Sequence, residues 1–197
     1  MKLIFATNNQ HKVDEIRHAT GDMLELLTLK EAGIDMDIPE PFDTIEANAS
    51  EKSRVIYQLT GLDCFSEDTG LEVALLNGEP GVKSARYAGD ERSSEKNIDK
   101  LLQKLEGVSD RRARFKTIIS LLIDGKETIF EGICEGHILS ERRGAQGFGY
   151  DPVFVPLGDT RSFAEMGLAE KEQYSHRARA TQKLVTFLNT LAQKSEN

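Results

Sequence analysis

The sequence is poor in cysteine and lacks any long apolar segment. Its two cysteines, Cys64 and Cys134, both lie in apolar, strand-like sequence and form no CxxC or Cys/His cluster. A zinc site is therefore not expected, because such sites need several closely spaced thiolate or imidazole ligands. Isolated thiols in apolar sequence are typical of buried, reduced cysteines in the cytosol. No apolar run reaches the length of a signal peptide or a membrane span, so we expect a cytoplasmic protein without a membrane partner.

The sequence is also short of positive charge. It has 25 lysines and arginines against 33 aspartates and glutamates, and a formal net charge of −8 at pH 7. Such a protein is a poor candidate for binding along a nucleic-acid polymer, since that mode of binding needs many cations to neutralise the phosphates. An acidic protein can still bind a small polyanion through a local basic site, usually together with a divalent cation. The composition therefore favours a small-molecule partner over nucleic acid.

No repeat, low-complexity stretch or linker divides the chain, and we treat residues 1–197 as a single domain. Asp124-Gly125 predicts a hairpin turn between strands at residues 113–123 and 128–139. Elsewhere the chain alternates between strand-like and helical segments. This mixture of βα units with a long hairpin predicts an α/β fold, in which a long mixed central sheet is flanked by helices.

Helix boundaries are indicated by capping and stop residues. The first helix should bury Ile16 and stop at Gly21. The second should begin with a capping box that starts at Asp43, and it should stop at Gly61. The third follows the one-sided spacing of an amphipathic helix over residues 98–105.

A polar turn, residues 7–12, joins the first predicted strand to the first predicted helix. The backbone N–H groups and the positive dipole end of a helix N-terminus favour a phosphate there, and Lys12 adds a full positive charge. The turn is not a Walker A loop, because the glycines and the Lys-Ser/Thr pair are absent. Taken alone, it is more typical of an ordinary helix cap.

Two adjacent carboxylates, Glu67 and Asp68, are predicted to follow a short strand at residues 63–66 and to precede another at residues 71–75. Oxygen ligands at a strand end suit Mg²⁺, which bridges to substrate phosphates. One carboxylate could hold the metal while the other, or the same one, acts as a base. A solvated β-turn explains the pair equally well. Glu40 could reach the same metal, although an acidic loop is more commonly only solvated.

A glycine-rich turn, residues 147–152, could approach a flat ligand closely. Phe148 could stack on a base and Asp151 could accept its hydrogen bonds, while the alternative is a turn whose aromatic side chains pack in the core. His176 and Arg177 are predicted in the first turn of a terminal helix that starts near Ser175. Cations there oppose the helix dipole, and a broken local rule indicates a function.

These motifs, in this order, resemble those of the inosine triphosphate pyrophosphatase family, the Ham1-like pyrophosphatases of non-canonical purine nucleoside triphosphates. The matching segments are residues 5–12, 48–49 with Lys52, 67–71, 78–82 with 84–87, 147–152 and 175–177. Each motif is weak alone, but six in family order span nearly the whole chain. Two positions depart from the family pattern: Glu67 stands where many relatives have Asp, and Ala47 precedes Asn48 where the family often has Glu.

The resemblance implies a two-lobed α/β domain with an active-site cleft between the lobes, usually a homodimer. It implies Mg²⁺-dependent hydrolysis of ITP, dITP and XTP to the monophosphate and pyrophosphate, which removes them from the nucleotide pool. Asp68 is the implied catalytic base, and the expected metal ligands are Asp68, Glu67 and Glu40. The expected substrate-binding residues are Thr7, Asn8, Asn9, Gln10, His11, Lys12, Thr69, Phe148, Gly149, Tyr150, Asp151, Lys171, His176 and Arg177.

Two alternatives stay open at the level of the sequence. One is a pyrophosphatase that acts on other modified nucleotides, and the other is a catalytically silent nucleotide-binding protein. Donors aimed at a purine 6-oxo group would reject adenine by ~10⁴-fold or more, because the amino group of adenine leaves them unpaired. The same donors do not exclude GTP, which also carries a 6-oxo group.

Overall fold

The computed structural model describes residues 2–195. Its strands are β1 (Lys2–Phe5), β2 (Glu25–Thr28), β3 (Cys64–Val73), β4 (Pro80–Gly81), β5 (Arg112–Ile123), β6 (Lys126–Ile138) and β7 (Phe154–Pro156). Its α-helices are α1 (Gln10–Thr20), α2 (Ile45–Thr60), α3 (Ser94–Lys104), α4 (Leu168–Glu172) and α5 (His176–Ser195). None of the helices within this described range is long and apolar enough to cross a membrane.

The strands form a mixed sheet in the order β2-β1-β3-β5-β6-β7, and β4 pairs with β3 off this path. β1 is parallel to β2 and to β3, whereas β4 is antiparallel to β3 and β7 is antiparallel to β6. Asp124 and Gly125 join β5 to β6 with φ values of 49° and 72°, the positive values that a two-residue hairpin turn requires. The predicted mixed sheet and hairpin turn are confirmed, although β6 starts at Lys126 rather than at residue 128.

The chain forms two compact units, and three of the strands contribute to both. The first unit contains the residues up to Asp68, then Thr117–Gly132, then the residues from Arg177 onwards. The second unit contains Thr69–Lys116 and Ile133–His176. The chain therefore passes from one unit to the other within β3, β5, β6 and at the start of α5.

β1 shows why the first unit has helices on both faces of its sheet. Leu3 and Phe5 pack in one apolar cluster, with side chains of α1 and α5. Ile4 and Ala6 pack in another, with Ile56 of α2. Because successive strand residues point to opposite faces, an unbroken apolar run needs a cover on each side.

The first two helices mostly follow their predicted boundaries. α1 buries Val13, Ile16 and Thr20, and ends where Gly21 adopts a φ of 52°. α2 ends at Gly61, but its N-cap is Thr44 rather than Asp43, since the Thr44 side chain accepts the hydrogen bond from the N–H of residue 47. Threonine at the next position of the motif can form the same cap, which is why the sequence alone did not separate the two.

The second unit has a core of its own, built on β3, β5 and α3. Ile98, Leu101 and Leu105 are buried, as the one-sided spacing predicts, and Leu102 is partly buried against them. The helix starts after Ser93, whose side chain accepts a hydrogen bond from the Lys96 N–H. Aromatic side chains complete this cluster, namely Phe115 of β5 and, from two other segments, Phe154 and Phe163.

The main error of the sequence prediction concerns β3. Two short strands were expected, with the Glu67-Asp68-Thr69-Gly70 motif as a turn between them, but a single strand runs over Cys64–Val73. Consecutive charged residues normally indicate a solvated turn, whereas here Glu67 and Asp68 are both buried. Tertiary ion pairs with three helices make this burial possible, and a sequence pattern does not show them.

Both cysteines are free and buried, as predicted. Burial raises the pKa of the Cys64 thiol to about 12. A thiol is nucleophilic only when it is ionised, so Cys64 stays inert at neutral pH. Its role is to pack in the apolar cluster with Ile4 and Ile56.

Candidate active site

The polar turn after β1 is held in shape by its own side chains. Thr7 Oγ1 accepts a hydrogen bond from the Asn9 N–H at 3.2 Å, and Asn9 Oδ1 accepts one from the Lys12 N–H at 3.3 Å. Asn9 is therefore the N-cap of α1, which begins at Gln10. The turn leads directly into a helix N-terminus, where the backbone N–H groups and the dipole favour an anion.

The alternation of side chains along β3 separates the two adjacent carboxylates. Asp68 contacts Lys52 of α2. Glu67 instead contacts Lys12 of α1 and Arg177 of α5. Successive side chains of a strand lie on opposite faces, so the pair expected to share one metal has two separate sets of partners.

Glu67 lies at the centre of a buried ionic network in the first unit. Arg177 donates two hydrogen bonds to it, from Nε to Oε2 at 2.5 Å and from Nη2 to Oε1 at 3.1 Å, and Arg177 Nη1 donates to Glu15. Lys12 Nζ lies 3.1 Å from Glu67 Oε1. Burial alone lowers the pKa of Arg177, but the two carboxylates outweigh it and raise the pKa above its ordinary value. The network thus contains a permanently charged guanidinium and holds Lys12, the cation at the end of the polar turn.

The second charged group of this unit is built around Lys52. Its Nζ lies 2.7 Å from Glu40 Oε1 and 3.2 Å from Asp68 Oδ1. Burial raises the pKa of Asp68, while the positive charges of Lys52 and Lys12 oppose that rise. Burial alone lowers the pKa of Lys52, but the Asp68 and Glu40 carboxylates outweigh it and raise the pKa. Asp68 is therefore a desolvated carboxylate with cations beside it, the environment that tunes a general base.

The fit to a divalent cation differs among the three predicted ligands. Within residues 2–195, no cluster of three or more His, Cys, Asp and Glu side chains has the arrangement of a metal site. Asp68 and Glu40 nevertheless bind the same ammonium group, so two carboxylates already converge on one positive charge. Such oxygen donors suit Mg²⁺, which needs only one or two carboxylates when substrate phosphates complete its coordination. Both oxygens of Glu67 are engaged by Arg177, so its metal role stays a prediction.

In the second unit, Asp151 closes the glycine-rich turn. Its Oδ2 accepts hydrogen bonds from the Phe148 N–H at 3.0 Å and from Lys171 Nζ at 2.6 Å. Asp151 and Lys171 are both almost fully buried. Lys171 Nζ also lies 5.1 Å from the centre of the Phe148 ring, within range of a cation–π interaction. One buried ion pair thus fixes both the turn and the aromatic side chain predicted to stack on a base.

Two further predicted residues pack in the core of the second unit. The His176 ring lies parallel to Phe115, with 4.5 Å between the ring centres and 14° between the planes. Tyr150 is buried, and its hydroxyl donates a hydrogen bond to the Ser84 carbonyl at 2.8 Å. Burial raises the pKa of this hydroxyl. Tyr150 therefore has a structural anchor, while its predicted substrate contact stays a prediction.

Gly147 is the position where the turn cannot carry a side chain. Its φ is 73°, and an added Cβ would lie 2.1 Å from Asp151 Oδ2. We expect Gly147→Ala to displace Asp151 from Phe148 and Lys171. It should raise the KM for ITP, the substrate that the family resemblance implies, by ~10-fold or more, since that resemblance gives this turn the positioning of the base. Steady-state kinetics and the melting temperature would measure the effect.

A matched control exists at Gly107, which has nearly the same φ of 71° but no atom within 4 Å of an added Cβ. Gly107→Ala carries the same left-handed backbone strain, about 1–2 kcal/mol, without the clash. It should lower the melting temperature and leave the KM unchanged. If KM rose equally in both variants, the backbone strain and not the displaced Asp151 carboxylate would account for the rise.

The two units divide the predicted site residues between them. The first unit contains residues 7–12, Glu40, Glu67, Asp68 and Arg177, and the second contains Thr69, residues 148–151, Lys171 and His176. The chain passes between units at the Asp68–Thr69 and His176–Arg177 peptide bonds. Predicted residues of the two units are thus consecutive in β3 and in α5.

The sequence prediction missed two charged members of these groups, Lys52 and Glu15, as site residues. A signal for Lys52 was present, because it lies three and four residues after Ala49 and Asn48 on the inner face of α2. A lysine within the buried stripe of a helix needs a buried partner. No pattern marks Glu15, since α1 has charged residues on both sides of it.

A helix N-terminus after a strand, buried lysines and converging carboxylates are the parts of a hydrolase that acts on a phosphorylated substrate. The chain belongs to the Ham1 family, whose model matches residues 3–187.

Relatives and solved structures agree with this assignment over nearly the full length. The chain is 51% identical to the dITP/XTP pyrophosphatase of Christiangramia forsetii over 96% of this chain and 100% of that protein. It is 52% identical to the dITP/XTP pyrophosphatase of Porphyromonas gingivalis over 95% and 97%. The Ham1 protein of Staphylococcus aureus has a TM-score of 0.87 at 37% identity, covering 96% of this chain and 99% of the other. The HAM1 protein of Coxiella burnetii has a TM-score of 0.88 at 36% identity with the same coverage.

Proposed function

We propose that the protein hydrolyses non-canonical purine nucleoside triphosphates, namely dITP, ITP and XTP, to the monophosphate and pyrophosphate. This reaction would remove them from the nucleotide pool. The observation that carries the proposal is the buried Asp68 carboxylate, with Lys52 in contact and Glu40 on the same ammonium group. The names of relatives about half identical to this chain support the choice of substrate.

In the proposed reaction, Asp68 acts as the general base. It takes the proton from the water that attacks the α-phosphorus, and the bond to the pyrophosphate leaving group breaks. Burial raises the pKa of Asp68 and makes it a stronger base, while the Lys52 ammonium favours the ionised form that a base needs. Lys12 and the N–H groups at the start of α1 bind the triphosphate and stabilise its charge.

Mg²⁺ is the proposed cofactor, with Asp68 and Glu40 as its ligands. When bound, it would neutralise phosphate charge as a Lewis acid. Glu67 has a different proposed contribution: with Arg177 it holds Lys12 in place, because Lys12 Nζ lies 3.1 Å from the Glu67 carboxylate. A homodimer, which rests on the family resemblance, and a cytoplasmic location, which rests on the composition, complete the proposal.

The second unit is proposed to recognise the base. Phe148 would stack on the purine, and the Asp151–Lys171 ion pair holds the turn that presents it. Lys171 and His176 would read the 6-oxo group. Donors of this kind reject the 6-amino group of adenine by ~10⁴-fold, because a buried donor facing another donor is left unpaired.

The test is the release of pyrophosphate from a panel of ITP, dITP, XTP, GTP, ATP and a modified pyrimidine triphosphate, with Mg²⁺ and with EDTA. We expect kcat/KM for ITP and XTP to exceed those for ATP and GTP by a wide margin, at least ~100-fold for ATP, with IMP or XMP as the nucleotide product. A flat panel would refute the proposed substrate class. Preference for a modified pyrimidine would favour the first alternative, and binding of ITP without pyrophosphate release would favour a silent binder.

A further inference from the structure

Glu40 lies in a segment without regular secondary structure, between β2 and α2. The acidic loop, residues 35–43, contains neither strand nor helix. A carboxylate that works at a reaction centre must be held to within about 0.5 Å, and residues on coil need additional anchors for such precision. The hydrogen bond from Lys52 fixes the end of the Glu40 side chain but leaves the loop backbone to be fixed by another group.

Asn48 provides this anchor. Its Oδ1 accepts a hydrogen bond from the Phe42 N–H at 2.9 Å, and its Nδ2 donates one to the Phe42 carbonyl at 3.0 Å. Asn48 is 1% exposed, so the carboxamide is buried while the Phe42 backbone that it holds lies nearer the surface. A carboxamide is the side chain that offers an acceptor and a donor together, which an aspartate or an alanine does not.

The position of Asn48 in α2 links the anchor to the charged group. Lys52 follows Asn48 by four residues and therefore lies one turn further along the same face of the helix. One helix face thus holds the loop twice, through the backbone of Phe42 and through the carboxylate of Glu40. At the other end of the loop, Asn8 Nδ2 donates an exposed hydrogen bond to the Met36 carbonyl at 3.0 Å, and Ile38 packs in the apolar cluster with Ile4 and Ile56.

We infer that Asn48 is a positioning residue, whose double hydrogen bond to Phe42 sets Glu40 where it converges with Asp68 on a single cation. The inference rests on the proposed function, in which Glu40 and Asp68 hold Mg²⁺. According to this inference, α2 and not the acidic loop itself determines where the Glu40 carboxylate lies relative to Asp68. Residues that orient a metal ligand typically change metal affinity by ~10–100-fold when they are replaced.

The structure contains a matched control in the second unit. Asn97 of α3 makes the same kind of clamp: its Oδ1 accepts from the Ala88 N–H at 2.7 Å, and its Nδ2 donates to the Ala85 carbonyl at 3.0 Å. It is 3% exposed, so its burial matches that of Asn48. The loop that it holds carries none of the proposed metal ligands. Asn97→Ala therefore removes an equivalent anchor without affecting Glu40.

The experiment compares Asn48→Ala, Asn48→Asp and Asn97→Ala with the wild-type protein. Mn²⁺ affinity, measured by electron paramagnetic resonance without nucleotide, is the primary readout, and the Mg²⁺ concentration for half-maximal pyrophosphate release is the second. We expect Asn48→Ala to weaken Mn²⁺ binding by ~10-fold or more, and Asn48→Asp, which keeps only the acceptor, to weaken it less. Asn97→Ala should lower the melting temperature by a similar amount and leave Mn²⁺ affinity within about twofold of wild type.

Results that differ from this expectation overturn either the positioning role of Asn48 or the metal role of Glu40. Unchanged Mn²⁺ affinity in Asn48→Ala, or an equal loss in Asn97→Ala, would overturn the positioning role. If Asn48→Ala does not fold, Asn48→Asp decides the matter by the same measurement. Glu40→Gln distinguishes a failure of the proposed function from a failure of the inference. If Glu40→Gln binds Mn²⁺ as the wild type does, Glu40 is not a metal ligand and that part of the proposed function fails. If Glu40→Gln loses Mn²⁺ affinity while the Asn48 variants keep it, only the positioning role of Asn48 is refuted.

Discussion

Asp68→Asn is expected to lower kcat for pyrophosphate release by ~10³-fold or more while the fold is retained, because asparagine has the shape of aspartate but cannot accept a proton. The Asp68 side chain is almost completely buried and contacts Lys52. Burial raises the pKa of Asp68, because the folded protein disfavours the ionised carboxylate. Replacing it by a neutral side chain of the same shape should therefore not destabilise the fold. Lys52 keeps Glu40 as a partner in the variant.

Stopped assays of pyrophosphate release, together with urea unfolding and the affinity for a non-hydrolysable ITP analogue, would measure this prediction. Asp63→Asn is the matched control. Asp63 accepts a hydrogen bond from the Asp124 N–H at the entry to β3, away from both charged groups. The Asp63→Asn protein should retain wild-type activity. An Asp68→Asn protein that kept more than about a tenth of wild-type kcat would show that another residue is the base.

Arg177→Met is expected to cost about 3–5 kcal/mol in the free energy of unfolding, because it leaves buried carboxylates without their cation. The side chain of Glu67 is completely buried, and that of Arg177 is 2% exposed. Glu15 loses the same partner. Lys12 contacts Oε1 of Glu67, the oxygen that Arg177 Nη2 also contacts, but one ammonium does not replace the two hydrogen bonds of the guanidinium.

Urea denaturation of Arg177→Met and of Arg179→Met measures this loss against an exposed arginine on the same helix. The Arg179 variant should change stability by less than about 0.5 kcal/mol. The double variant Glu67→Gln with Arg177→Met should recover part of the loss, since the buried charge is then removed from both sides. A single Arg177 variant as stable as the Arg179 control would mean that the ion pair contributes little to the fold.

Local patterns predicted the elements that depend on local chemistry. α1 buries Ile16 and stops at Gly21 because apolar spacing and a left-handed glycine are written in the sequence itself. The same holds for the hairpin at Asp124-Gly125. The 3₁₀ turn at Phe163–Glu165 and the short helix α4 were missed, since such short segments give no periodic signal.

The candidate site was predicted as a set of residues but not as an arrangement. Motif order named Glu67 and Asp68, yet it grouped them as neighbours in a turn at a strand end. Their separation depends on which helices pack on each face of β3, and this follows from tertiary contacts of Lys52 and Arg177 over long sequence distances. A pattern confined to adjacent residues does not carry that information.

The opposite orientation of Glu67 and Asp68 in β3 also places two different roles side by side. These two neighbouring residues form ion pairs with different helices: Glu67 with Arg177 of α5, and Asp68 with Lys52 of α2. The pleat of a single strand thus sets a carboxylate that holds the fold next to the carboxylate proposed for the chemistry, and Lys12 couples the two, because it contacts Glu67 while its charge acts on Asp68.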